Sequence, residues 1–203
     1  MSRPEPAEVS LGQRILDVVS AGHEAEPWAL GVTSLAISRR LELPEADVLA
    51  ELARLADDGR VHRRFGYFAE PGHAVALSAE QRAFFEPLLP PEGDESASPV
   101  AYEILVASIR AGRIAGIAKA LDTLLATGAL IRVGEDCFRG SQMAAMRRSI
   151  EAHFDRHDRL TVAEFRDIVG TTRKHAVPLL EWFDRAGVTR RDGVDRVSGA
   201  IPT

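Results

Sequence analysis

The sequence predicts a mainly α protein with small β wings, an α+β chain organised as a tandem array of three winged-helix domains. Leu52 to Gly59, Leu121 to Gly128 and Leu180 to Gly187 each read as an amphipathic helix closed by a glycine. Each glycine is followed by two short apolar runs split by a turn: Val61 to Phe65 and Tyr67 to Ala69, Leu130 to Val133 and Cys137-Phe138, Val188 to Arg190 and Asp195 to Val197. The glycines stand 69 and 59 residues apart in a chain of 203, so three helix-turn-helix units with hairpins describe it better than one large domain.

In the first unit, residues 1–72, Leu11 to Ser20 is a helix, Thr33 or Ser34 caps Leu35 to Leu41, and Pro44 opens the helix that runs to Asp58. In the second, residues 73–140, helices are expected at Ala79 to Leu88, Val100 to Arg110 and Ile114 to Ala126. The stretch 87–99, with four prolines and Glu92-Gly93-Asp94-Glu95-Ser96, reads as a mobile acidic insertion between the first two of these. The third unit, residues 141–203, leads with a helix from Gln142 to Arg156. Thr161 and Glu164 then form a capping box, with Val162, Phe165 and Val169 at helical intervals behind it. Gly170 stops that helix and Thr171 caps the next, in which Ala176, Leu180 and Phe183 share a face and Gly187 ends the run. Pro178 lacks the donor for the carbonyl of Lys174 and should kink this helix at a cost of about 3 kcal/mol without breaking it. Ala69 to Ser78 and Arg139 to Gln142 are the expected joints.

Composition bounds the chemistry. A hydrophobic content of 45% supplies real core, no apolar run approaches the ~20 residues that cross a bilayer, and Met1 to Ser10 has no signal-peptide character, so a soluble, cytoplasmic protein is expected. The lone Cys137 cannot close an internal disulfide and fits a reducing compartment. The net charge of -5 divides unevenly: residues 141–203 hold 11 Arg and Lys against 9 Asp and Glu, or +2, and residues 1–140 hold 14 against 21, or -7. Only the last third suits a polyanion, and the acidic remainder argues for local, structured recognition.

Other constellations point to ordinary structure. His153 and His157 have zinc-like spacing, yet no glutamate lies between them and no cysteine pair is near, so no metal is expected. Gly112 to Lys119 superficially suggests a phosphate loop, but Ala120 stands where the magnesium-binding hydroxyl belongs. Cys137 reads as a packed strand residue with no base to activate it. Trp182 reads as a packing residue. Arg39-Arg40 and Arg63-Arg64 form a smaller basic group, read as ordinary surface charge, with contact to ribosomal RNA as the alternative if the array is elongated. No catalytic residues, cofactor or metal follow from the sequence.

The positive charge of the third unit gathers at one helix start and on the wing, which suits a phosphate backbone. Arg173 and Lys174 open the recognition helix, where backbone amides and the helix dipole also favour an anion; Arg166 lies on the preceding helix, and Arg190, Arg191 and Arg196 lie on the wing. Asp184, Asp192 and Asp195 are available to pair with them, and Asp192 lowers the charge of the wing.

Phe165-Arg166-Asp167, Gly170, Arg173-Lys174, Leu179-Leu180-Glu181, Phe183-Asp184-Arg185, Gly187 and Thr189-Arg190-Arg191 closely resemble the last winged helix of bacterial selenocysteine-specific translation elongation factors. The resemblance is strong over roughly 142–197 and weaker before it. It implies an mRNA-hairpin-binding module, one of an array of four winged helices following a tRNA-binding GTPase, that tethers the factor to the selenocysteine insertion element so that UGA is decoded as selenocysteine. It assigns RNA contact to Arg166, Arg173, Lys174, Arg190, Arg191 and Arg196. The partners implied are an mRNA stem-loop, the ribosome and a separate or excised GTPase portion that binds selenocysteyl-tRNA, with the chain itself a monomer. This sequence has no Gly-x-x-x-x-Gly-Lys-Ser/Thr loop, so it is expected to bind RNA and catalyse nothing. The rival readings are a winged-helix DNA-binding transcriptional regulator and a protein-interaction scaffold.

Overall fold

Glycines and capping side chains set the boundaries of the elements, and the elements come in one order three times over. The computed structural model describes residues 9–93 and 96–199; Met1 to Glu8, which hold most of the N-terminal segment read above, and Asp94-Glu95 of the acidic run lie outside them. The first group has helices α1 (Leu11–Ala25), α2 (Ser34–Leu41) and α3 (Glu45–Asp57), with strands β1 (Val32–Thr33), β2 (His62–Arg64) and β3 (Tyr67–Ala69). The second has α4 (Ala79–Phe85), α5 (Tyr102–Ala111) and α6 (Ile117–Thr127), with β4 (Val100–Ala101), β5 (Leu130–Val133) and β6 (Asp136–Arg139). The third has α7 (Gly140–Phe154), α8 (Val162–Val169) and α9 (Arg173–Arg185), with β7 (Thr189–Asp192) and β8 (Asp195–Ser198). By density of packing the chain divides in two: one unit ends at Gln81 and includes Ala115–Thr123, and the other holds Arg82–Ile114 and everything from Leu124 onward.

The predicted hairpins are present, β2 with β3, β5 with β6 and β7 with β8, all antiparallel. A third strand was not foreseen. β1 and β4 each add two residues to the far side of the hairpin's second strand, giving the orders β1-β3-β2 and β4-β6-β5. In the third group Leu160 occupies the same place, exchanging both backbone hydrogen bonds with Arg196 at 2.9 Å. In each group this strand leads directly into the second helix, and in two of them a threonine at the junction caps it: Thr33 accepts from the Ala36 amide at 3.3 Å and Thr161 from the Glu164 amide at 3.2 Å. Two residues give too little alternation to be read as a strand.

The earlier unit buries Ile15, Val19, Ile37, Val48 and Leu52 completely, with Leu55, Val61 and Phe68 around them. In the later unit Phe138, Met146, Ile150, Leu160, Phe165, Leu179, Leu180 and Phe183 form one cluster that also takes in Ala97 and Val133. Each such side chain contributes about 1.5–3 kcal/mol on leaving water, so this core holds α7, α8 and α9 firmly behind the basic surface. Trp182 packs against it half-buried, as expected.

Two glycines show why the repeat is so regular. Gly140 and Gly199 follow the second wing strand of their groups, and a Cβ on either would sit 2.3 Å from the carbonyl oxygen of Gly128 or 2.0 Å from that of Gly187. Those partners are the helix-closing glycines themselves, at φ +78° and +72°. The wing therefore closes backbone to backbone against the end of the recognition helix.

Some boundaries differ from expectation. α1 runs past Ser20 to Ala25, whereas α9 continues through Pro178 without a break, as expected. Thr172, not Thr171, is the N-cap of α9, and its hydroxyl contacts His175 Nδ1 at 3.0 Å in place of a backbone amide. The described flanks of the segment 87–99, read as mobile, are held in place. Fully buried Gln142 donates to the Ser96 and Ser98 carbonyls at 2.7 and 3.0 Å, Arg139 donates to the Pro90 carbonyl, and Leu89 and Ala97 are buried. A buried amide with backbone partners outweighs the disorder that proline and charge suggest.

Candidate nucleic-acid interface

The α8 to α9 corner is built by its caps. The Glu164 carboxylate accepts the Thr161 amide at 2.8 Å and the Thr161 hydroxyl at 2.7 Å, bonds that lower its pKa, the backbone bond most. Gly170 then takes φ +66° at the C-cap of α8, turning the chain so that α9 starts at Arg173. Because Thr172 makes no side-chain cap bond, the first amides of α9 carry their partial positive charge without a capping oxygen.

At this corner Arg166 and Arg173 meet. With Val162, Ala163 and Ala176 they line a cleft of about 250 Å³, which brings apolar groups and two guanidinium-bearing side chains together. Lys174 is exposed beside Arg173, and neither forms an ion pair among the described residues. Val177, four residues beyond Arg173 on α9 and 42% exposed, adds an apolar contact next to the cations. Arg166 is less available, because it is bound to Asp167 at 2.6 Å.

The wing distributes its charges in an order that the sequence does not display. Arg190 and Arg191 are exposed, and Arg191 Nε donates to the Gly193 carbonyl at 3.1 Å. Arg196 is different: only 4% exposed, it bonds through Nε and Nη2 to the Asp184 carboxylate of α9 at 3.3 and 3.2 Å. Asp184 also accepts the buried Thr189 hydroxyl at 2.6 Å. Arg196 thus fastens the wing to the recognition helix, and the expected surface cation is a structural one. Its place outside is taken by Arg159, in the turn before α8, which reaches Asp192 at 2.8 Å and Asp195 at 3.7 Å and offsets both wing carboxylates. Sequence reasoning missed Arg159; a lone arginine in an Asp-Arg turn gives no local signal for such a role.

The surface is braced from behind by the preceding wing. His175 Nε2 lies 3.3 Å from Asp136 of β6, and its ring stands edge-on to Phe138 with centroids 6.5 Å apart. Cys137, between those two residues, is fully buried, and burial pushes its thiol up to about 11. His153 and His157 stack at 4.5 Å, and His153 Nε2 contacts the Arg159 carbonyl at 2.8 Å. Among the described residues no cluster of three or more His, Cys, Asp or Glu forms a metal-type constellation. No helix among them is long and apolar enough to cross a membrane. In the earlier unit Arg39, Arg40, Arg63 and Arg64 are all exposed.

Residues 152–198, which contain Arg159 and all six predicted contact residues, match the family model described as the winged helix of elongation factor SelB. The selenocysteine-specific elongation factor of Escherichia coli (strain K12) is 27% identical over 203 residues, covering 95% of this chain and 31% of the relative. That of Haemophilus influenzae is 25% identical over 197 residues, covering 91% and 30%. The chain therefore spans about a third of the length of these relatives. The crystal structure of bacterial selenocysteine-specific elongation factor EF-Sec has the same fold over 93% of this chain and 29% of its own, with a TM-score of 0.61 at 17% identity. A further similar structure, the mRNA-binding domain of elongation factor SelB from E. coli in complex with SECIS RNA, aligns with 61% of this chain and 99% of its own at 25% identity and a TM-score of 0.47.

Proposed function

We infer that this chain, related along nearly its whole length to selenocysteine-specific elongation factors and ending in a SelB-type winged helix, is the mRNA-hairpin-binding portion of such a factor. Its third unit, residues 141–203, grips an mRNA stem-loop of the selenocysteine insertion element and tethers the factor there while UGA is read as selenocysteine. Residues 1–72 and 73–140 form the two preceding winged-helix units and set the reach of the tether. The GTPase portion that binds selenocysteyl-tRNA and the ribosome are the other partners. The chain acts as a cytoplasmic monomer and catalyses no reaction itself.

The observation that carries this reading is the corner where Arg166 and Arg173 share one cleft beside exposed Lys174, inside the matched segment. A planar guanidinium bridges two phosphate oxygens or stacks beneath an unpaired base, and a hairpin loop offers both while a regular duplex offers only the first. The apolar lining from Val162, Ala163 and Ala176, with Val177 outside it, suits the face of a splayed base. Arg173, Lys174, Arg190 and Arg191 provide the contacts, Arg166 joins once phosphate displaces Asp167, and Arg159 keeps the wing carboxylates from repelling the strand.

The test is a titration of the whole chain with a small RNA hairpin of the insertion-element type and with duplex DNA of equal charge at one salt concentration. Preference for the hairpin by at least about tenfold is expected. Equal or tighter binding to DNA would assign the chain to the transcription regulators.

A further inference from the structure

The first wing has a feature absent from the other two. Its turn is Phe65-Gly66, with φ +51° and +82°, whereas the second and third wings turn at Gly134-Glu135 and Gly193-Val194 with glycine in the first place. Two successive left-handed residues form the primed hairpin turn that favours Asn-Gly or Asp-Gly. A bulky phenylalanine is strained there, and the residue is 65% exposed, so neither backbone comfort nor burial accounts for it.

Its surroundings are cationic and aromatic. All three residues of β2, His62, Arg63 and Arg64, are exposed, and neither arginine forms an ion pair among the described residues. The Arg64 guanidinium stands 5.6 Å from the centre of the Phe65 ring, and Arg63 stands 6.0 Å from that of Phe68, its partner across the hairpin. Tyr67, opposite Arg64, lines a cleft of about 530 Å³ with Arg40; Lys119 of the same cleft is matched by Glu26. The tip therefore presents an aromatic face, unpaired guanidinium groups and a groove containing a further arginine.

We propose that this wing is a second RNA site, at which Phe65 stacks on an unpaired base while Arg63, Arg64 and Arg40 hold the flanking phosphates. An aromatic platform among cations is how single-stranded nucleic acid is bound without base-specific hydrogen bonds. A regular duplex keeps its bases stacked and offers the ring nothing, so the ligand is a single strand or loop. The site would give the chain a hold on RNA at the end away from the hairpin-binding unit in sequence. It does not depend on the reading of that unit.

The experiment measures anisotropy of a labelled unstructured oligouridylate, on the order of ten nucleotides long, titrated with the full chain carrying R173A/K174A/R190A/R191A so that the terminal site is weakened. Phe65→Ala should weaken binding by about five-fold or more, at the lower end of what one stacked base contributes, and Phe65→Trp should restore it. R63A/R64A should weaken it and flatten its salt dependence. An abasic strand of equal length should bind Phe65→Ala and the parent alike. Affinity of Phe65→Ala within two-fold of the parent, an equal loss on the abasic strand, or preferential binding of an acidic peptide, which would make the partner a protein, each overturns the proposal. Phe65 is exposed at a turn, and retained helix content on circular dichroism checks that the variant is folded.

Discussion

Removing Arg173 and Lys174 together is the sharpest perturbation of the terminal surface. Both side chains are exposed and make no ion pair among the described residues, so nothing in the fold loses a partner when they become alanine. A hydrogen bond to a charged group contributes ~1.5–3 kcal/mol, and the lysine adds an exposed, screened point-charge contact of ~0.5–1 kcal/mol, for a total of ~2–4 kcal/mol. The hairpin dissociation constant should rise roughly 30-fold to several hundredfold. The slope of log K against log salt should become shallower by about 1.4–1.8, since two phosphate contacts are lost. Arg166→Ala should cost less, because the free protein already commits that guanidinium to Asp167 at 2.6 Å. For the same reason Asp167→Asn should tighten binding a few-fold by removing the competitor. Fluorescence titration at four salt concentrations, with R14A/R39A, two exposed arginines outside both proposed sites, as a control of equal charge change, measures all of these. Equal losses from R173A/K174A and R14A/R39A would refute the assignment of hairpin binding to the third unit.

Asp184→Ala strands the Arg196 guanidinium, 4% exposed, and the buried Thr189 hydroxyl, so unfolding by urea should show a loss of ~3 kcal/mol. The double variant D184A/R196M should recover more than half of it, and a failure to recover would mean the pair is not what fastens the wing. Arg159→Ala should leave stability within ~0.5 kcal/mol, as exposed pairs do, yet weaken hairpin binding several-fold by uncovering Asp192 and Asp195; unchanged binding would remove Arg159 from the surface. Cys137, fully buried with its thiol near 11, is protonated below that value, so at pH 8 only about one molecule in a thousand carries the thiolate. Ellman's reagent should therefore label it only in denaturant; stoichiometric labelling of the native protein within minutes would contradict its burial. Gly140→Ala, whose Cβ would lie 2.3 Å from the Gly128 carbonyl oxygen, should cost more than Gly128→Ala, which meets open space and pays ~1–2 kcal/mol for its left-handed backbone. Denaturant midpoints of the two variants decide the order.

The helices and hairpins were legible because their signals are local. Gly59, Gly128 and Gly187 close their helices at φ +68°, +78° and +72°, and Thr161 with Glu164 forms the capping box its spacing announces. What stayed hidden depends on partners far along the chain. β1 and β4 are two residues each and exist only because a wing strand offers them an edge. The described parts of 87–99 look disordered by composition, yet Gln142, more than forty residues on, satisfies their carbonyls. Thr172 displaced Thr171 as the cap of α9 because φ, ψ and a histidine partner, not residue type, separate two adjacent threonines.

The candidate site divides along the same line. Arg166, Arg173 and Lys174 could be placed together from sequence, since a helix, a glycine stop and a helix fix their relative positions within eight residues. On the wing, net charge was legible but identity was not. Arg190, Arg191 and Arg196 against Asp192 and Asp195 give +1, and so do Arg190, Arg191 and Arg159 against the same carboxylates once Arg196 is assigned to Asp184. Arg191 and Arg196 face each other across the hairpin, and alternation alone would give them one role. What separates them is Asp184, twelve residues before Arg196 on another element, which accepts the Arg196 guanidinium and leaves its cross-strand partner Arg191 in solvent. A charge pattern therefore identifies a phosphate-binding face, but its contacting arginines are known only after those that carboxylates retain in the fold have been subtracted.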